Sequence, residues 1–514
     1  MRVRPTPPPA RRPGTVACLT VGDIGKAVAY YEQFFGFRAR LVESAAAWLT
    51  GHGTTLRLRL GPPTTAGADD RPDPDAVLYV GQPEVLRRRL DDWGAHLTSG
   101  TTLGEQWRGY YAVRDCYGNL LAFGATGAPA ALLRPLYEAG DGARRWLGRQ
   151  IGDRDQRRES RRLRDFHQRH QIPQGAYYLH VTTGLLHWLL ACERRLPPEL
   201  PVVVVGSGLT AQESDWLARQ LPRPFHHIAA RRDDAGVLEL VFAAATGDFG
   251  WIEPGCLVLD HRVLTDLAAP ADGVALRCAW SYDAGLGAPL AAPYLLFFDA
   301  DAIRQVRAAV PGISPGIYAY DRFNRQVDGE RWYTRTPSRQ QRRRLAAVAP
   351  RAADGRPATP LGTSFYDTTV LYQLAARTCG WSVRPVRSLR ANNHVRGDAV
   401  QDDASDELVY IGALGYADPL EEFSGFFHDG AVRQRYLFAE YVTLQPVADQ
   451  LPDSYRARLA AVVEAMAAQG LRPDDAHAAV RDYLCTVLGL SAAATASVLQ
   501  ADNSGPTVQE ALVE

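Results

Sequence analysis

The sequence predicts a multidomain protein that combines α/β and α+β architecture. With 514 residues, the chain is too long for one ordinary hydrophobic core, so several domains are expected. A βαβββ pattern occurs twice within the first 126 residues. Further on, four valines from Val202 to Val205 predict a buried strand of a parallel sheet, and the last hundred residues follow a helical period.

These patterns divide the chain into six parts. In order they are a disordered tail (1–13), a duplicated βαβββ module (14–126), a helical linker (127–198), a central α/β domain (199–400), a helical region packed as a small bundle (410–500) and a frayed tail (501–514). Within the linker, residues 175–193 predict a strongly apolar, buried helix.

Composition excludes several classes of function. The formal net charge is zero, which argues against a nucleic-acid or membrane-surface partner. No apolar run approaches the roughly 18 residues that span a membrane, and the Pro/Arg-rich start has no signal-peptide core. The seven cysteines are scattered without a CxxC pair, which favours a reducing cytoplasm over a disulfide framework.

The two repeats of the N-terminal module have clear element boundaries. The first repeat predicts a strand, an amphipathic helix closed by Gly36, and three strands. A Pro/Gly/Asp-rich loop follows, and the second repeat has the same order. The predicted elements are strand 15–21, helix 23–36, strands 37–43, 46–50, 55–60 and 76–80, helix 83–94, and strands 98–103, 110–114 and 120–124.

Two motifs in this module, VGDIGKAVAYYEQFFGFRARL and VRDCYGNLLAFG, resemble the vicinal-oxygen-chelate family of glyoxalases, extradiol dioxygenases and bleomycin-resistance proteins. The resemblance implies metal ligands at Val16 and Ala122, which cannot bind a metal, and leaves Asp75 as one isolated carboxylate. The module is therefore expected to be metal-free. A ligand-binding cup, a structural or docking domain and an enzyme remain open, and the family also implies pairing into a homodimer.

The central domain is organised around a glycine turn. Gly206, Ser207 and Gly208 follow the valine strand, and Ala211 opens a helix that Thr210 caps, with Glu213 three residues after the cap. Free N–H groups at such a turn form an anion cradle, so the four residues Gly206, Ser207, Gly208 and Ala211 predict a nucleotide or nucleotide-sugar site.

An alternative is a dinucleotide site, because Gly206-x-Gly208-x-x-Ala211 formally fits that fingerprint. The acidic residue expected about 20 positions later is replaced by Arg231 and Arg232 before Asp233. An NAD(P)-dependent oxidoreductase therefore stays open as a rival.

The segment FGWIEPGCLVLD (249–260) predicts a strand, a turn and a second strand before a helix. It resembles the central region of GT-A-type nucleotide-sugar glycosyltransferases, whose fold is Rossmann-like. That resemblance implies an Asp-x-Asp motif at a strand end that holds Mn²⁺ or Mg²⁺ on the diphosphate. Glu253 is the single carboxylate at this position, because Gly255 stands where the second one is expected.

A better Asp-x-Asp occurs at Asp299 and Asp301, after the apolar run from Tyr294 to Phe298. These carboxylates are candidates for the metal or diphosphate. The alternative is that one of them caps the helix that follows.

Two later segments also resemble GT-A enzymes. FYDTT includes Asp367, a candidate base for the acceptor hydroxyl, with a helix cap as the equal alternative. NNHVRG includes His394, a candidate metal or diphosphate ligand that could equally be an ordinary hydrogen-bonded histidine.

Basic segments complete the pattern. Residues 144–170 could contact phosphates or form a solvated helix, and His167 and His170 are spaced like a surface pair. Residues 335–344 predict an exposed loop that could close over a phosphate. We therefore predict a bacterial, nucleotide-sugar-dependent glycosyltransferase acting on a small-molecule or glycan acceptor, with a non-catalytic binding protein and the oxidoreductase as rivals.

Overall fold

The computed structural model describes most of the chain, and it forms two compact units. The first consists mainly of residues 1–152 and the second mainly of residues 153–514. The described residues are 16–21, 24–42, 46–51, 54–61, 74–80, 110–115, 117–125, 154–282, 289–319, 334–335, 341, 365–366, 368–390, 402–412, 418–420 and 430–499.

The first unit contains one helix and seven strands among its described residues. They are β1 (Val16–Val21), α1 (Ile24–Phe35), β2 (Arg38–Val42), β3 (Ala46–Gly51), β4 (Thr54–Leu60), β5 (Ala76–Val80), β6 (Tyr111–Arg114) and β7 (Leu120–Ala125). The sheet order is β1-β4-β3-β2, with β1 parallel to β4, and β5-β7-β6, with β5 parallel to β7. The predicted first βαβββ repeat is confirmed, while the predicted helix 83–94 and strand 98–103 lie outside the described residues.

The core of this unit is shared by both repeats. Apolar side chains from α1 and from strands of both sheets form one buried cluster. Two polar links accompany it: the Tyr31 hydroxyl donates to the Asp115 carboxylate, and Asn119 Nδ2 donates to the Thr20 carbonyl (3.0 Å). The repeats are therefore held together by packing and by buried hydrogen bonds between distant positions.

The second unit is built around an eight-stranded sheet. Its described elements are α2 (154–169), β8 (Tyr177–Thr182), α3 (Leu186–Glu193), β9 (Val202–Ser207), α4 (Ala211–Gln220), β10 (Phe225–Ile228), α5 (Asp234–Ala244), β11 (Phe249–Ile252), β12 (Cys256–Val258), α6 (Arg262–Ala268), β13 (Val274–Tyr282), β14 (Leu290–Ala291), β15 (Leu295–Phe298), α7 (Ala300–Ala309), β16 (Ile317–Ala319), β17 (Thr334–Arg335), β18 (Phe365–Tyr366), α8 (Val370–Thr378), β19 (Ser382–Arg390), β20 (Asp403–Ser405), β21 (Leu408–Tyr410), α9 (Gly430–Leu444), α10 (Asp453–Ala468), α11 (Ala476–Asp482) and α12 (Ala492–Leu499).

The order of the large sheet is β10-β9-β8-β11-β15-β13-β14, and β19 pairs with β13. Strands β8 to β11 are parallel, β15 is antiparallel to both β11 and β13, and β19 is parallel to β13. Six strands therefore point the same way. We call the edge where these six strands end the carboxyl edge.

One secondary-structure prediction is wrong. Residues 177–182, predicted as part of a helix within the linker, form β8, which lies at the centre of the large sheet. All six of its side chains are buried, and the helix α3 starts only at Leu186. A run that is apolar throughout cannot by itself distinguish a strand buried on both faces from a buried helix.

The predicted elements around the glycine turn and in the 249–260 segment match the observed ones within a few residues, and the described residues from 430 to 499 are mainly helical, as predicted for this region. Tyr455 donates to Glu213 (2.7 Å), and Trp188 donates to Glu440 (2.9 Å). The C-terminal helices therefore share buried hydrogen bonds with the sheet domain.

The six described cysteines are free thiols, and three of them, Cys192, Cys256 and Cys278, are fully buried. Burial raises the pKa of Cys192 to about 12 and raises those of the other two well above their ordinary values. In the described part of the chain, no helix has both the length and the apolar character needed to cross a bilayer.

Candidate functional site

The strand order creates a switch point between β8 and β11. From β8 the chain moves outward through β9 to β10 and then returns to the other side of β8 as β11. In open α/β sheets, ligands bind at the carboxyl edge beside such a reversal, because the flanking connections leave on opposite faces and open a crevice. The ends of β8 and β11 are therefore the first place to look for a site.

A histidine relay lies just below this edge. His180, on β8, has Nδ1 2.6 Å from Asp234 Oδ1 and Nε2 2.8 Å from Ser207 Oγ. Asp234 is the first residue of α5, and Ser207 is the last residue of β9. All three side chains are buried, so the carboxylate fixes the orientation of the imidazole.

This relay resembles a hydrolase triad, but its serine is inaccessible. Ser207 is 0 % exposed, its Oγ accepts the Arg232 N–H (3.1 Å), and its hydroxyl lies 3.0 Å from the Arg232 carbonyl. A nucleophile must reach its substrate and pass its proton to the base. Ser207 instead ties β9 to the loop before α5.

Glu253 follows β11 directly and is 8 % exposed. Its Oε2 accepts the Tyr410 hydroxyl (2.5 Å), and the Tyr410 ring stacks on Tyr294 with centroids 3.5 Å apart. Burial raises the pKa of Tyr410 well above its ordinary value, and the negative charges of Glu253 and Asp234 raise it further.

The glycine turn itself is filled by the protein. A Cβ on Gly206 would lie 2.4 Å from Leu209 Cδ1, and one on Gly208 would lie 2.5 Å from Arg231 Cβ. Gly208 also has φ +60°, a conformation that glycine adopts without strain. The two glycines thus serve close packing, and the prediction that Gly206, Ser207 and Gly208 cradle a phosphate is corrected.

The helix terminus after the turn already holds an anion. Glu213 Oε1 accepts the N–H of Gly184 (2.8 Å), and Oε2 accepts the hydroxyl of Thr183 (2.6 Å) and the N–H of Thr210 (2.9 Å). The predicted capping box between Thr210 and Glu213 is present, and Ala211 is the exposed first residue of α4. At this terminus the Glu213 carboxylate therefore takes the N–H of Thr210, and the Thr210 hydroxyl takes the N–H of Glu213 (3.2 Å).

Asp299 and Asp301 lie at the opposite edge of the sheet. Because β15 is antiparallel to β11, its last residue, Phe298, pairs with Phe249 at the start of β11. The Asp299 carboxylate caps α7 by accepting the Ala302 N–H (2.7 Å), and the exposed Asp301 pairs with Arg304. The prediction that these two acids share a site with Glu253 and Gly206 is corrected, because the sheet lies between them.

Asp367 and His394 lie outside the described residues, so their roles remain predictions. The neighbouring Thr369 is fully buried, adopts φ +67° at the start of α8, and donates its N–H to the Pro315 carbonyl (2.6 Å). A left-handed threonine costs free energy that the surrounding packing must offset. Among the residues with described placement, no three His, Cys, Asp or Glu side chains converge as metal ligands.

In the N-terminal module, the positions where the resemblance implies metal ligands belong to strands and their hydrogen bonds. Val16 begins β1, and Ala122 is fully buried in β7. The Asp75 carboxylate accepts the Leu120 N–H (2.8 Å), so it fixes the start of β7. The prediction of a metal-free module rests on these residue types.

The histidine relay was missed by the sequence analysis. Its one visible signal is a lone polar residue, His180, inside the apolar run YYLHVT. Asp234 comes directly after Asp233, the N-cap of an apolar helix. Its place in the sequence therefore suggests only a role at the helix start. Only the pairing of β8 with β9 brings these side chains together.

Comparison with known proteins finds a family match within the second unit. Residues 153–303 match the family described as the StrH glycosyltransferase N-terminal domain. Among the curated proteins, no relative matches the chain. The predicted relationship to a glycosyltransferase family is confirmed for this range, and the finer GT-A assignment stays a prediction.

Solved structures similar to part of the chain include bleomycin-resistance and glyoxalase proteins. The bleomycin-binding protein of Streptomyces verticillus, complexed with copper(II)-bleomycin, is 23% identical over 22% of this chain and 96% of its own, with a TM-score of 0.18. The bleomycin resistance determinant of transposon Tn5 is 19% identical (22% and 98%, TM-score 0.19). Lactoylglutathione lyase from Agrobacterium tumefaciens is 20% identical (23% and 95%, TM-score 0.16). The likeness that the two N-terminal motifs predicted is thus found.

Proposed function

We propose that the second unit is a glycosyltransferase that uses a nucleotide sugar, and that the first unit is a metal-free module that binds a small molecule. The observation that carries the proposal is the match of residues 153–303 to a glycosyltransferase-related domain family. That range includes the four parallel strands β8 to β11 and both sides of the switch point. A bacterial cytoplasm and an acceptor that is a small molecule or glycan belong to the same proposal.

The nucleotide sugar would bind at the switch point instead of the glycine turn. Crevices at the carboxyl edge beside a strand-order reversal are the usual ligand sites of open α/β sheets. Glu253 is the carboxylate directly after β11, and Thr182 and Thr183 lie at the same edge, where β8 ends. His180, held by Asp234, supports this crevice from below.

The proposed reaction is a displacement at the anomeric carbon. The acceptor oxygen forms the new glycosidic bond while the bond from the anomeric carbon to the phosphate oxygen breaks, and the nucleoside diphosphate departs with that electron pair. A carboxylate takes the acceptor's proton during the attack. Asp367 remains our candidate for this base, on the strength of the FYDTT segment.

A divalent metal is a separate expectation. Glu253 alone among the described residues offers a carboxylate at the end of β11, and its Oε2 accepts a hydrogen bond from Tyr410. Hard cations need several oxygen ligands, so these residues by themselves do not form a metal site. His394 stays a candidate ligand, and we derive no step through a metal.

A thermal-shift experiment tests the proposal. We expect UDP- or GDP-sugars, with or without Mn²⁺, to raise the melting temperature of the full chain, because a ligand that binds only the folded state stabilises it. The Glu253→Gln variant should lose most of this shift. Asp301→Asn is the matched control, since it removes an exposed carboxylate at the opposite edge.

The same screen separates the rival functions. A shift with NADPH would support an oxidoreductase. The strand order argues against this rival, because the dinucleotide fingerprint belongs after the first strand of such a series. The Gly206 turn instead follows β9, the second strand of the series β8, β9, β10. No shift with any nucleotide, or an equal loss of the shift in both variants, would contradict the proposed transferase site and leave a binding protein.

A further inference from the structure

A cavity lies at the outer edge of the large sheet, away from the switch point. Helix α2 and the edge strand β10 form the walls of this open cavity, whose volume of about 440 Å³ is within the range of small-molecule sites. Strand β9 separates β10 from β8, so this cavity is distinct from the candidate transferase site. Its basic lining residues are Arg162, Arg169, His170, His226 and His227.

The helix contributes to this cavity through one face. Positions 162, 165, 166 and 169 follow the i, i+3, i+4, i+7 spacing of one side of α2, and His170 comes directly after the helix. Arg157 and Arg161 belong to the same helix but are not among the residues that line the cavity. The cavity thus collects a defined subset of the basic segment.

The charges around the cavity are not balanced within the described part of the chain. Two arginines face one lining carboxylate, Asp165, and three histidine rings complete the polar lining. Arg162 Nη1 pairs with Glu159 (2.8 Å), whereas no described carboxylate lies within salt-bridge distance of Arg169, whose Nε donates to the Asp165 carbonyl (3.4 Å). Arg169 thus keeps most of its donors for a partner from outside.

His226 adds a buried polar atom to the cavity wall. Its side chain is 8 % exposed, and its Nε2 has no hydrogen-bond partner among the described residues. A buried polar atom without a partner costs about 1–3 kcal/mol, so such atoms are usually satisfied by water or ligand. The Phe166 ring lies 5.1 Å from that of His226 and 4.3 Å from that of His170, which forms an aromatic floor.

We propose that this cavity binds the phosphate group of a small phosphorylated molecule. Arginine guanidinium groups match phosphate oxygens with paired hydrogen bonds, and protonated imidazoles add further donors. The aromatic floor fits a compact organic group attached to the phosphate. The proposal rests on this geometry alone and does not depend on the transferase activity.

Calorimetric titration of the full chain with inorganic pyrophosphate, at constant ionic strength, tests the proposal. The double variant Arg162→Gln/Arg169→Gln should raise the dissociation constant at least roughly tenfold, because each charge-assisted bond is worth about a factor of ten. Arg157→Gln/Arg161→Gln is the matched control: it removes the same charge from exposed residues of the same helix that do not line the cavity. It should change the dissociation constant less than about twofold.

Proton uptake provides an independent readout. Burial, together with the smaller effects of the nearby charges of His167, His227, Arg169 and Arg162, lowers the pKa of His226 to about 4. A bound dianion opposes those charges and raises this pKa, so binding should take up protons and tighten as the pH falls. His226→Asn should reduce the uptake, measured from the dependence of the binding heat on the buffer.

Three outcomes would overturn the proposal: no binding of pyrophosphate at millimolar concentration, an equal loss in the cavity and control variants, or proton uptake that His226→Asn leaves unchanged. If the double variant loses its fold by circular dichroism, the single variant Arg169→Gln carries the comparison with Arg157→Gln.

Discussion

At the scale of single residues, Glu213 determines what the predicted anion site contains. Its carboxylate satisfies the N-terminus of α4 and also accepts the hydroxyls of Thr183 and Tyr455. The capping box was predictable, because Thr210 and Glu213 are three residues apart. The donors Thr183, Gly184 and Tyr455 are 30, 29 and 242 residues away along the chain, so no local pattern indicated them.

We expect Glu213→Gln to reduce the free energy of unfolding by about 2–4 kcal/mol at about pH 7. An amide accepts on one oxygen only, so donors now satisfied by the second oxygen would face an N–H₂ group. Urea denaturation measures the change. Asp215→Asn on the exposed side of the same helix is the control, and a loss of similar size there would contradict the assignment.

The pH dependence of this contribution has a defined sign. Burial by itself raises the pKa of Glu213, but the hydrogen bonds from Gly184, Thr183, Thr210 and Tyr455 outweigh it, and its pKa lies below the ordinary value. The stabilisation is therefore full above the pKa of the unfolded chain and is lost as pH falls through the lower folded value. The difference between wild type and Glu213→Gln should shrink as the pH falls below the ordinary pKa range of a glutamate carboxyl.

At the scale of elements, β8 shows why an apolar run was assigned incorrectly. Residues 175–193 contain few polar positions, so neither the period of a strand nor that of a helix is visible. The β-branched pair Thr182-Thr183 before Gly184 is the sequence break, and the strand ends there. This error moved the predicted start of the central domain past its central strand, and with it past His180.

The glycine turn offers a test of packing at this scale. Gly208→Ala should destabilise the protein by about 2–4 kcal/mol, because φ is +60° and the new Cβ would meet Arg231 backbone and side-chain atoms. Gly273→Ala is the matched control, with φ +70° and no atom within 4 Å of the new Cβ, and should cost about 1 kcal/mol.

Thermal unfolding of both glycine variants makes the comparison. Equal losses would mean that backbone strain alone sets the cost and that the turn has room for a ligand. A larger loss for Gly208→Ala would support a closed turn.

At the scale of the whole second unit, a buried ionic network joins α3 to the C-terminal helices. Glu440, on α9, accepts Nε1 of Trp188 (2.9 Å) and Nε of Arg458 (2.6 Å), and its Oε1 lies 3.0 Å from His187 Nε2. Arg458 also donates to Asp418 (2.9 Å). Burial alone raises the pKa of Glu440, but the charges of His187 and Arg458 hold it well below its ordinary value.

We expect Glu440→Gln to cost about 3–5 kcal/mol, because it leaves the buried Arg458 without its main counter-charge. The melting temperature and the urea midpoint measure this loss. Glu464→Gln, an exposed position on α10, should change neither. If Glu440→Gln left both unchanged, the C-terminal helices would contribute little to the stability of the sheet domain.

The two units differ in how far the sequence predicted them. In the first, short strands with turn signals at each end fixed the element boundaries to within two residues, from Val16 to Leu60. In the second unit, most strands were predicted, but the order of the strands in the sheet was not. That order places Glu253 and Asp299 at opposite edges. Site prediction failed where it required strand neighbours instead of strand positions.

The distribution of thiols has a practical consequence for handling the molecule. Cys18 is exposed, whereas Cys192, Cys256 and Cys278 are sealed in the interior as protonated, unreactive groups. Cys379 and Cys485 are half-buried. A maleimide dye would thus label the exposed Cys18 of the folded chain before the three buried thiols, which become reactive only when the sheet domain opens. The rate at which these buried thiols are labelled would therefore report the opening of the second unit without an engineered cysteine.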